Sequence, residues 1–232
     1  MNTPRIICSA LLCSAAFSLL DCSDRLRRVG HAGQRSRKAA TVSASDRPDT
    51  GQLREGDIIF HKSNSSQSLA IRIATQSEFN HVGVIFQHNS QWMVFEAVQP
   101  VKFTPLGHFI DRGGGHYVIK RLKDYDQVMT PPVIAKMKIL GRNYVGKNYD
   151  IYFRWDDDRI YCSELVWKLY KQAAHVEIGR LQKAEDLNLG NPVVQRLIKQ
   201  RYGPSAAVPL HETIISPQSM FESDRLIVVQ QR

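Results

Sequence analysis

Ile160-Tyr161-Cys162-Ser163-Glu164-Leu165-Val166 is the stretch on which the reading of this chain turns. Leu165, Val166, Leu169 and Tyr170 are spaced for one buried face of a helix, and the pattern extends from Cys162 to about Ala174. That puts a thiol in the first turn. A helix N-terminus presents unpaired backbone N–H groups and a partial positive charge, which together favour the nucleophilic thiolate. Upstream, Asn80-His81-Val82-Gly83-Val84-Ile85 sets an imidazole at the mouth of an apolar, β-branched run that reads as a buried strand. A thiol at a helix start and an imidazole on a strand are the two parts a cysteine hydrolase needs.

Outward from the histidine, Arg54-Glu55-Gly56-Asp57 reads as a turn feeding a strand at Ile58-Ile59-Phe60-His61. Asn64 or Ser65 caps a helix carrying Leu69, Ala70, Ile73 and Ala74 at helical spacing. Strands follow at Val82–Gln87, Trp92–Val98 and Tyr117–Leu122, the first two joined as an antiparallel hairpin through His88-Asn89-Ser90-Gln91. If that hairpin pairs positions summing to about 177–179, His81 and Glu96 become cross-strand neighbours. Glu96 lies between Phe95 and Ala97, where an acid is costly unless it is paired. A carboxylate on one imidazole nitrogen fixes the tautomer and supports the positive ring. Segments 99–116 and 141–158 read as loops, with Gly113-Gly114-Gly115 a flexible turn and no phosphate cradle. A helix from Pro131 to about Leu140, a short one over Val193–Gln200 and a closing strand at Leu226–Val229 complete the pattern. Strands bracketed by helices favour an α+β fold with an antiparallel sheet.

With 232 residues the chain is long enough for one sizeable core. The net charge of +9 invites a nucleic-acid reading, but six basic residues and no acid fall between Arg25 and Lys38. Outside that tail the domain is only mildly basic and carries no aromatic-plus-basic recognition motif, so no nucleic-acid partner is expected. Residues 1–22 begin with Arg5 and run apolar from Ile6 to Leu20, which suits a secretory leader better than a membrane span. Leu19-Leu20-Asp21-Cys22 resembles a lipoprotein cleavage site, with Asp21 where a small residue is expected. The leader points to the cell envelope, with the protein either periplasmic or attached to the membrane through its N-terminus. Residues 23–50 read as a flexible basic linker, and 51–232 as the folded domain.

Three of the four cysteines (Cys8, Cys13, Cys22) lie in the leader, which excludes a disulfide framework and a cysteine zinc site in the domain. Asp156-Asp157-Asp158 lacks the glycine and distal glutamate of a calcium loop and reads as a solvated segment. His61, His88, His108 and His116 show no metal-ligand spacing and read as loop or surface residues, so no metal or other cofactor is expected. Glu164, in the first helical turn, suits the helix dipole and is not assigned to catalysis.

At Leu53–Phe60, Ser66-Gln67-Ser68, Ala74-Thr75, His81–Val84, Val94–Ala97 and Tyr161–Val166 the sequence resembles the permuted papain-like amidases of the YiiX/YaeF type, within the NlpC-type cysteine peptidase superfamily. His81 precedes Cys162, the permuted order. The resemblance implies a small antiparallel β-barrel or sheet packed against helices. It also implies action on an amide or ester bond, and the expectation is a monomeric hydrolase of a small-molecule, lipid or peptide substrate that needs no cofactor. Carried over by position, Cys162 is the nucleophile, His81 the base, Glu96 the orienting group and Tyr161 a supporting aromatic. A thiol acyltransferase, or a non-catalytic lipid- or peptidoglycan-binding module, stands as the alternative.

Overall fold

The computed structural model describes residues 47–63, 66–203 and 208–232. The leader with Cys22, most of the basic linker and the caps at 64 and 65 lie outside the described residues. Six strands form one sheet: β1 (Ile58–His61), β2 (His81–His88), β3 (Gln91–Glu96), β4 (Lys102–Pro105), β5 (Tyr117–Leu122) and, last in the chain, β8 (Leu226–Gln231). Their order is β4-β3-β2-β1-β5-β8, and every ladder is antiparallel. β4 and β8 are its two edges, so the architecture is an open sheet and not the barrel alternative. A separate two-stranded ladder joins β6 (Gln182–Lys183) to β7 (Thr213–Ile214).

The helices are α1 (Ser66–Thr75), α2 (Leu106–Arg112), α3 (Tyr125–Val128), α4 (Pro131–Arg142), α5 (Cys162–Ala174), α6 (Pro192–Tyr202) and α7 (Pro217–Phe221). Residues of opposite parity on a strand face opposite sides of a sheet. Ile58, Phe60, Val82, Val84 and Phe86 accordingly pack with Leu165, Val166 and Leu169 of α5 and Met137 of α4. Ile59, Ile85, Val94 and Ile119 pack on the other face with Leu106, Phe109 and Ile110 of α2. With both faces covered, β1 is buried throughout, which explains the continuous apolar run Ile58-Ile59-Phe60.

Three expectations change. The loop 99–116 contains β4 and α2; without β4 the hairpin would be an exposed edge, and α2 covers the second face. β3 stops at Glu96 and does not run to Val98. Residues 47–50, assigned to the linker, are tied down. Arg47 donates to the Gly107 carbonyl at 2.6 Å and pairs with Asp111 at 2.8 Å, while the Asp49 amide donates to Gln230 at 2.8 Å. Among the described residues no helix is long and apolar enough to cross a membrane.

Candidate active site

The hairpin turns through Asn89 and Ser90, both at positive φ, and pairs Val84 with Phe95 and His88 with Gln91. Positions therefore sum to 179, and the ladder extended one step sets Glu96 across from Gly83. His81 and Glu96 are diagonal neighbours, not direct opposites. Gly83 keeps the space between them clear: a β-carbon there would run into the Val94 side chain and lie 2.9 Å from the Phe95 carbonyl and 3.3 Å from the Glu96 β-carbon. Through that gap His81 Nε2 meets Glu96 Oε2 at 2.5 Å.

The same carboxylate oxygen accepts from Arg112 Nη2 of α2, also at 2.5 Å, and the guanidinium lies over the Phe109 ring. Glu96 is fully buried, and burial alone would raise its pKa. The contacts with His81 and Arg112 win and hold it down at about 2. It is an anion at every ordinary pH.

Cys162 opens α5 and is 3% exposed. The turn that carries it is fastened from three sides. Ser163 Oγ donates to the Ile215 carbonyl at 2.7 Å, and the Ile215 amide donates to the Tyr161 hydroxyl at 3.1 Å. Glu164 accepts from the Tyr161 amide and pairs with Lys168 at 2.8 Å. Tyr161 is thus a buried support, its ring edge-on to Phe153. Glu164 is a helix-capping group, its pKa raised by burial to about 8 despite Lys168.

The thiol lies within hydrogen-bonding reach of His81, the Val82 amide and the Tyr149 hydroxyl. Burial by itself would raise the thiol's pKa; His81 and these donors outweigh it and bring it below the ordinary value. Burial would likewise lower His81, but the sulfur and Glu96 raise it to about 9. The two shifts are the two sides of one interaction, each group favouring the charged form of the other, and the pair titrates as a unit. The three residues singled out for nucleophile, base and orienter therefore come together, and Tyr161 lies directly behind them.

Three neighbours had no signature in the sequence. Tyr149 comes from the 141–158 connector, 13 positions before the cysteine. Arg112 comes from the unanticipated α2. His61, read as a surface residue, is 1% exposed because β1 lies between β2 and β5. It sits directly opposite His81 with ring centroids 5.0 Å apart. Burial, then the charge on His81, lowers its pKa to about 2, so it stays neutral beside the ion pair. His88, His108 and His116 are exposed. In the acidic triplet, Asp157 pairs with Lys168 at 2.8 Å and the Asp156 carboxylate accepts the Asp158 amide. Among the described residues no three His, Cys, Asp or Glu gather as metal ligands.

Two hollows meet at the pair. One, of about 910 Å³ out to its mouth, is walled by α1 and α6 and lined by Cys162 with Ala74, Phe153, Leu187, Val194 and Ile198. The other, of about 1200 Å³, is an open groove lined by His81 with Ser68, Asn80, Gln99, Asn148 and Arg159. Tyr149 borders both.

Residues 52–230 match the profile of a family described as permuted papain-like amidase enzyme, YaeF/YiiX, C92 family. The chain is 43% identical over 179 residues to the uncharacterized protein YiiX of Escherichia coli strain K12, covering 77% of this chain and 86% of that protein. A solved structure titled metalloprotein yiiX from Escherichia coli O157:H7, DUF1105, superposes with a TM-score of 0.73 at 43% identity. That match covers 78% of this chain and 98% of the other.

Proposed function

This chain belongs to the permuted papain-like amidase family, and from that premise we propose that it is a cysteine hydrolase cleaving an amide or ester bond through an acyl-thioester on Cys162. The observation that carries the proposal is the Cys162 thiol meeting an imidazole whose far nitrogen is held at 2.5 Å by the Glu96 carboxylate. His81 takes the thiol proton, and the thiolate attacks the substrate carbonyl. In this reading the Cys162 backbone N–H, at the open end of α5, and the Tyr149 hydroxyl beside the sulfur donate to the oxyanion. When the C–N or C–O bond breaks, His81 returns the proton to the leaving nitrogen or oxygen. Water, deprotonated by the same ring, then hydrolyses the thioester. The groove beside His81 is open, so water is the acceptor at hand. Acyl transfer and a purely binding role are not favoured. The solved relative is titled a metalloprotein; the described residues of this chain gather no such donor set, and no step here uses a metal.

The hollow that touches the sulfur is lined mainly by apolar side chains and suits the acyl half of the substrate. On a series of p-nitrophenyl esters, kcat/KM is expected to rise from acetate to dodecanoate, each buried methylene adding up to about 0.8 kcal/mol. Ala74→Phe, which narrows the hollow, should flatten that rise. Equal rates along the series would remove the acyl assignment.

The nucleophile itself is tested by alkylation. At pH 6 a free thiol is almost wholly protonated, whereas the sulfur beside His81 is held below its ordinary pKa. Iodoacetamide should label Cys162 at least about tenfold faster than a free cysteine peptide at that pH. Labelling at the peptide's rate, unaffected by His81→Ala, would falsify the nucleophile assignment.

A further inference from the structure

The sulfur borders one hollow and the imidazole the other, and the chemistry assigns a half of the substrate to each. The acyl group stays on sulfur, while the leaving group departs toward the ring that protonates it. The open groove beside His81 is therefore the leaving group's seat, an assignment that rests on the reading of Cys162 and His81 above.

The charge of that groove is one-sided. Arg159 and His81 are the charged residues that line it, and no carboxylate does. The His81 charge is already met by Glu96 and the sulfur. Arg159 is exposed, and among the described residues it forms no ion pair. Its nearest acids in sequence are engaged elsewhere: Asp157 with Lys168, and Asp156 with the amides of Asp158 and Arg159. Asp158 does not line the groove. Alongside Arg159, where the Ile160 amide donates to the Asn148 main-chain carbonyl, Gln99 Nε2 donates to Asn148 Oδ1 at 2.5 Å and its Oε1 accepts the Tyr149 amide at 2.8 Å. That orients Asn148 and leaves its amide N–H groups to donate. A guanidinium fork and an amide in a groove that no acid lines form a recognition surface for a planar or tetrahedral oxyanion.

We propose that the groove selects substrates whose leaving group carries an anion, a phosphate or a carboxylate, through Arg159 with Asn148. The preferred substrate is then an apolar acyl chain joined by an ester or amide to an anionic head.

The test compares matched pairs with one acyl chain: 1-octanoylglycerol 3-phosphate against 1-octanoylglycerol, and N-octanoylglycine against N-octanoylglycinamide. In the wild type, the anionic member of at least one pair should show a kcat/KM about tenfold or more above its neutral partner. Arg159→Gln should bring that ratio close to one, and Arg159→Lys should keep part of it. The ratio is internal to each variant, so a partly misfolded preparation does not alter it. Whichever pair responds distinguishes phosphate from carboxylate. Binding to Cys162→Ala, measured by calorimetry, should show the same preference without turnover. Equal handling of charged and neutral partners, in turnover and in binding, overturns the proposal while leaving the hydrolase reading intact. Preferential binding of the anion through Arg159, with no turnover of any probe, supports the anion site and removes the hydrolase.

Discussion

Replacing His81 with alanine is expected to lower kcat/KM by about three to four orders of magnitude, the range seen when a residue acts as both base and acid. The local electrostatics give a second reason. Burial is the largest influence on the Cys162 thiol and pushes its pKa up; the charge of the imidazole is the strongest force opposing it. Without the ring, the sulfur should be protonated at neutral pH. Alkylation of His81→Ala should then lose its reactivity at pH 6 and regain it only above the ordinary thiol range, about 8.5. In the wild type, kcat/KM should fall again as pH rises through about 9, where His81 loses its proton and with it the ability to protonate a leaving group. A loss under tenfold, with the alkylation profile unmoved, would show that another group is the base.

Glu96→Ala is expected to damage both rate and stability. The ring loses the contact that fixes its tautomer, for which about 10²–10³ in kcat is a reasonable share. The carboxylate's pKa of about 2, against 4.5 unperturbed, is worth about 3 kcal/mol of folding free energy at neutral pH. The same contact with His81 also raises the histidine, so the two shifts are not added. Because the folded pKa is depressed, this stability is complete above about pH 4.5 and is lost as pH falls through about 2. At pH 7 the variant should melt about 6–12 °C below the wild type. Toward pH 2 the two melting curves should converge. A constant gap across that window would mean that Glu96 stabilises by packing rather than by charge.

The core of this site was legible because its signals are local. Leu165, Val166 and Leu169 announce a helix at any level of burial, and Cys162 at its start needs no tertiary information. The runs Ile58–His61 and Tyr117–Leu122 are apolar enough to be recovered to the residue. The sites of difficulty are those where a distant partner decides. Lys102–Pro105 has no strong strand pattern and becomes a strand by pairing with β3. Leu106–Arg112 is a seven-residue helix whose buried side is only Leu106, Phe109 and Ile110. His61 looks polar and terminal on its strand, yet the strands on either side bury it. Arg112 and Tyr149 reach the pair from segments whose placement no spacing rule encodes. The His81–Glu96 contact was foreseen as a direct cross-strand pair; it is made one step off, over a glycine whose missing side chain is the actual permission.

The turn bearing Cys162 is held by Ile215, through Ser163 and Tyr161. A chain still being synthesised, with His81 long since made but position 215 not yet emerged, lacks those anchors. Its sulfhydryl would be no more reactive than that of any unfolded peptide. On the proposed reading, the reactive thiol is therefore set up only once the chain through Ile215 has folded back onto it.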